Sequence, residues 1–102
     1  MRFETINILG REYKVIYCNN PSDVDIIKRT ALWGQADYWR REIRIYDNGR
    51  TQNDLLQTLL HEILHCITSD LNMSNLRDKE DDIGLLALAL ADVLIRNDMI
   101  RK

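Results

Sequence analysis

The hydrophobic pattern of this chain changes period once, at Asp47-Asn48-Gly49, and that change limits the folds open to it. Before it, apolar residues come in short runs. "YKVIY" is rich in β-branched and aromatic residues, and Ile43 and Ile45 alternate with Arg44 and Tyr46. Such runs suit pleated, half-buried strands. After it, Leu56, Leu59, Leu60, Ile63, Leu64 and Ile67 recur at the 3.6-residue spacing of a helix.

Thr51, with Asp54 three residues on, forms a variant capping box, so the first helix is expected from there to about Ser69. A polar loop, "DLNMSNLRD", follows. The second helix is expected from near Asp78 to about Met99, with a stripe of Ile83, Leu86, Ala87, Leu90 and Leu94. Gly84 near its start lets another element approach closely. Arg96, Arg101 and Lys102 suit the negative end of that helix. Strands first and helices after predict an α+β domain, with two long helices packed on one face of a small, mostly antiparallel sheet.

Upstream, "RFETINILGREYKVIYCNN" predicts two strands around a turn at Gly10-Arg11. "SDVDIIKRTALW" fits either of two readings. It is a short helix capped by Ser22, with Val24, Ile27 and Ala31 on one face, or an irregular loop. Gln35 to Trp39 is placed to form a hairpin with the Ile43 strand.

The chain has 102 residues, which predicts one domain spanning 1–102. Its net charge of −2, from 14 basic and 16 acidic residues, gives no general attraction to nucleic acid or an anionic membrane. Arg40, Arg41 and Arg44 form a small basic cluster interleaved with acids, read as a solvated edge. "MRFETINILG" lacks the features of a signal peptide, and the longest apolar run is broken by Asp92. Two cysteines are too few for a disulfide scaffold, so a reduced, cytoplasmic protein is expected. Cys66, next to His65, should point about 100° away from it and be buried as an apolar residue.

Both histidines of the chain lie in "LLHEILHCITSD". His61 and His65, four apart on a helix, share a face and can converge on one metal at about 2.0–2.1 Å. Glu62 flanks that face. From there its carboxylate reaches a water on the metal and takes its proton as the water attacks a carbonyl. The spacing H-E-x-x-H encodes this arrangement for zinc. The helical wheel groups both histidines with Asp54, Thr58 and Thr68, a polar strip bordering the leucine stripe.

Zinc needs a third protein ligand, and with no third histidine an acid is expected. "DKEDD", Asp78 to Asp82, supplies several. Glu80 extends the stripe of the second helix and has the longer reach, so it is favoured, then Asp81, with Asp82 a further alternative. Acids also enrich helix N-termini for the sake of the macrodipole alone.

These residues give the chain a resemblance to the gluzincin-like metallopeptidases, and within them to small phage and mobile-element proteins near the ImmA/IrrE group. "TLLHEILHCI", Gly34 ahead of the strand "EIRIYD", and "EDDIGLLALALADVL" carry the resemblance, over about residues 34–97. It implies a zincin-like fold whose edge strand, here Glu42–Tyr46, holds an extended peptide. It also implies His61 and His65 as zinc ligands, Glu62 as the base and an acidic ligand on the second helix. Members of the group usually place a glutamate directly before a small residue in that helix. Here Asp82 precedes Ile83, with Glu80 and Asp81 nearby.

The expected activity is hydrolysis of a peptide or protein substrate by a zinc-activated water. The alternative is a non-catalytic module of the same fold that binds a protein partner. Tyr38 and Tyr46 are candidates to stabilise an oxyanion, although tyrosines on strands usually pack.

Overall fold

A computed structural model describes residues 2–26 and 32–100. The expected helix face at Ile27 and Ala31, and the basic pair Arg101 and Lys102, lie outside the described residues.

The first two strands are Thr5–Ile8 (β1) and Arg11–Cys18 (β2), an antiparallel hairpin. The turn is Leu9-Gly10, one residue earlier than Gly10-Arg11, and Arg11 already pairs with Ile8. Both turn residues have positive φ, 51° and 81°, the twist that a two-residue hairpin demands. A single 3-10 turn, Pro21–Asp23, follows, its backbone captured by the Asn20 side chain. The strands Gly34–Asp37 (β3) and Glu42–Tyr46 (β4) form a second antiparallel hairpin.

The four strands lie in the order β1-β2-β4-β3, and β2 pairs with β4 in parallel. The sheet is therefore mixed: its two outer pairings are antiparallel and its central one is parallel. After β2 the next strand, β3, lies at the far edge, so β4 returns between β3 and β2. There Ile43 and Ile45 are fully buried, with neighbours on both sides. Glu42–Tyr46 is thus an interior strand. The edge on that side is β3.

One face of the sheet presents Ile8, Tyr13, Val15, Ile43 and Ile45 to the helix Gln52–Asp70 (α1). Thr51 caps α1 by accepting the Asp54 N–H at 3.1 Å. Leu55, Leu59 and Cys66 of α1 complete that core. On the other face of the sheet the Cys18 thiol and Arg44 both donate to the Asp23 carbonyl, and the next residue, Val24, is fully buried.

The second helix, Glu80–Arg96 (α2), packs on α1 and not on the sheet, so the helices are stacked rather than side by side. α1 lies between the sheet and α2. Its burial therefore extends beyond the leucine stripe and takes in Thr58 and Thr68, which the wheel put on a polar border. The buried face of α2 is Ile83, Ala87 and Ala91. Leu86 and Leu90, expected in that stripe, are exposed. The two alanines let the helices approach more closely than leucines would. No helix among the described residues is long and apolar enough to cross a membrane.

Candidate metal centre

His61 and His65 stand one turn apart on α1, their rings 4.9 Å between centroids. α1 is held in register by its Thr51 cap at one end and by the core contacts of Leu55, Leu59 and Cys66. The imidazoles consequently emerge on the side that faces the start of α2. Gly84 of α2 lies directly over His61: a Cβ there would come within 3.7 Å of the ring, an ordinary contact.

Glu80 is the first residue of α2. Its Oε1 lies 2.5 Å from His61 Nε2 and its Oε2 lies 2.9 Å from His65 Nε2, so one carboxylate spans both rings. The reason is helical geometry. Glu80 is one turn before Ile83 and Gly84, on the face that meets α1, whereas Asp81 and Asp82 fall progressively round the helix and are exposed. Asp81 is not part of the cluster. Among the described residues, His61, His65 and Glu80 are the ligating side chains whose donor atoms converge, all within 4.8 Å of one another. Two imidazole nitrogens and one carboxylate oxygen suit zinc in a site that keeps a position open. The residues present fit the ion.

Glu62 turns the other way, toward β3. It is 7% exposed. Burial pushes its carboxyl up to about 8, the Glu80 charge adds to this, and the Ala36 backbone N–H, which it accepts, opposes it. That hydrogen bond follows from the ladder. Trp33 accepts from Tyr46 N–H, so the alternate residues Gly34 and Ala36 direct their backbone groups off the open edge of the sheet. β3 and α1 approach closely at this level. A Cβ on Gly34 would lie 2.7 Å from Thr58 Cγ2 and 3.0 Å from Glu62 Oε2.

A cleft of about 770 Å³ leads from Trp33 and Arg50 past Thr58 to His61, Glu62 and Glu80. The wheel set Thr58 beside the histidines, but sequence reasoning did not single out Arg50 or Trp33. Arg50 donates to Thr58 Oγ1 at 2.7 Å and to the Tyr46 and Asp54 carbonyls, and its guanidinium stacks on Trp33 at 4.5 Å. These contacts tie α1 and β4 to the segments just before β3 and α1, and no local pattern announces them. Tyr46 lies at the same end, beside Trp33. Tyr38 lies past the other end of β3. Burial, followed by the nearby Cys66 and Glu62, pushes its phenol up to about 12, so it remains a proton donor near the acids of the centre.

Comparison with protein-family models, with curated proteins and with solved structures finds no match to this chain.

Proposed function

We propose that this chain is a zinc-dependent hydrolase of peptide bonds with a zincin-like arrangement of sheet and helices. The observation that carries the reading is the single Glu80 carboxylate spanning His61 and His65, with Glu62 on the same turn facing the open edge of β3. His61, His65 and Glu80 would hold the ion. When bound, zinc polarises a carbonyl and lowers the pKa of water.

The chain's own residues supply the rest. The N–H and C=O groups of Gly34 have no hydrogen-bond partner among the described residues and offer an extended peptide the start of an antiparallel pairing, which makes β3 the peptide-binding strand. Glu62, between that edge and the histidines, in its ionised form accepts the proton of the attacking water and passes it to the leaving amine. Tyr38, protonated, donates a hydrogen bond to the developing oxyanion.

A second reading, a non-catalytic binding module of the same fold, draws support from Glu62 itself. The side chain is nearly closed off from solvent and already engaged with Ala36. One set of measurements separates the readings. Purified protein is expected to bind one zinc per chain, and His65→Ala to lose it. Glu62→Gln is expected to keep the zinc and lose at least about a hundredfold in turnover of a peptide library. Zinc-free protein that gains no stability on adding zinc sinks the metal centre. Zinc binding without any turnover leaves the binding module.

A further inference from the structure

Between Ile83 and Ala91, α2 is apolar on every side, yet α1 covers one face of it. Ile83, Ala87 and Ala91 are buried there, while Leu85, Leu86, Leu88, Leu90, Val93 and Ile95 are exposed, Leu85 by 65%. A helix that is hydrophobic all round belongs inside a larger body of protein. Exposed apolar surface on the order of several hundred Å² marks an interaction site.

The face opposite α1 carries a row spaced three or four residues apart: Asp82, Leu85, Ala89, Val93 and Arg96, all exposed. The row complements its own reverse. Turned end for end about Ala89, Asp82 falls on Arg96 and Leu85 falls on Val93. We propose that α2 pairs with α2 of a second copy of this chain, antiparallel, with the two-fold axis at Ala89.

In this register Asp82 meets Arg96 of the partner subunit at one end, and the symmetry repeats the pair at the other. Leu85 packs on Val93 of the partner subunit. The two Ala89 side chains meet at the axis and allow the helices to come close. A parallel pairing is excluded by the same charges, because it sets acid on acid and base on base. Antiparallel helices also place each negative C-terminus beside a positive N-terminus. Arg96 already pairs with Asp92 of its own helix at 2.5 Å, which holds the guanidinium out on this face. Its five N–H donors leave room for a second carboxylate. A two-fold interface needs a self-complementary patch, and this row is one.

Light scattering at about 0.1 mM chain should report a particle twice the 12.0 kDa chain mass. D82R alone and R96D alone should each weaken dimerisation about tenfold, because each sets like charges together at both ends. Mixed one to one, the two variants should dimerise within about threefold of the natural chain, because every end of the mixed pair again sets a base against an acid. Positions 82 and 96 are some 21 Å apart along one helix, so no contact within a chain can produce that rescue. Circular dichroism checks that the variants keep their helices. Should they unfold, Ala89→Glu at the exposed axis carries the test: a monomer is expected and a dimer overturns the proposal. A monomeric natural chain, single reversals that leave the dimer intact, or a mixture no tighter than its components would each overturn it.

Discussion

Gly34 shows how one missing methyl group shapes the centre. Its backbone supplies the strand edge, and the space a side chain would need is filled by Thr58 and Glu62. Thr58 cannot yield easily, since it is buried on α1 and its hydroxyl is held by Arg50. Gly34→Ala is therefore expected to destabilise the fold by about 1–3 kcal/mol, the usual cost of overpacking. Urea denaturation measures this, and an unchanged midpoint would refute the close approach. Cys66 illustrates the opposite case, a reactive group kept silent. It is fully buried, and burial pushes its thiol up to about 12. A raised acid pKa keeps the thiol protonated through mildly alkaline pH, so little thiolate exists to react. An alkylating reagent at about pH 8 should label Cys66 only in step with unfolding. Mass spectrometry of the native protein reads this out, and labelling at the rate of a free thiol would contradict it.

Among the elements, the β1–β2 turn is held in a conformation its first residue does not favour. Leu9 has φ of 51° and its side chain is exposed, so it bears the strain of the left-handed region without gaining burial. Leu9→Asn creates the Asn-Gly pair preferred in such turns and should stabilise the protein by about 0.5–1 kcal/mol. A melting temperature that falls would show the turn relies on Leu9 in some other way. The helices themselves are legible in the sequence because their signals are local. Thr51, the leucine spacing and the change of period mark α1 to within a residue or two. Strand pairing is not local. Nothing in "EIRIY" states that it lies between two other strands, and its place follows from where the preceding crossover leaves β3. The buried face of α2 is illegible for another reason. Leucines surround that helix, so periodicity cannot distinguish the side that meets α1, and the small residues Ala87 and Ala91 decide it instead.

At the level of the whole molecule, three layers stack in order: sheet, α1, α2. The centre is assembled from all three, with Glu62 turned to the sheet and the histidines turned to α2. H-E-x-x-H could be read from the sequence because both histidines belong to one helix. Glu80 could be reached by an argument from face and length, because the stripe of α2 extends back to it. Arg50 and the Ala36 N–H could not, since they join the centre only when β3 and α1 are laid together. The division of the cluster between helices has a mechanical meaning. His61 and His65 belong to α1, Glu80 to α2, and a loop of nine residues, Leu71–Lys79, joins them. Glu80 is 68% exposed at its side chain, and the start of α2 has no side-chain cap to fix it. Whatever grips these three side chains therefore also acts as a clasp on the helix pair. An ion held there would couple its own binding to the docking of the outer helix, adding to the packing of Ile83, Ala87 and Ala91 that already joins the two helices.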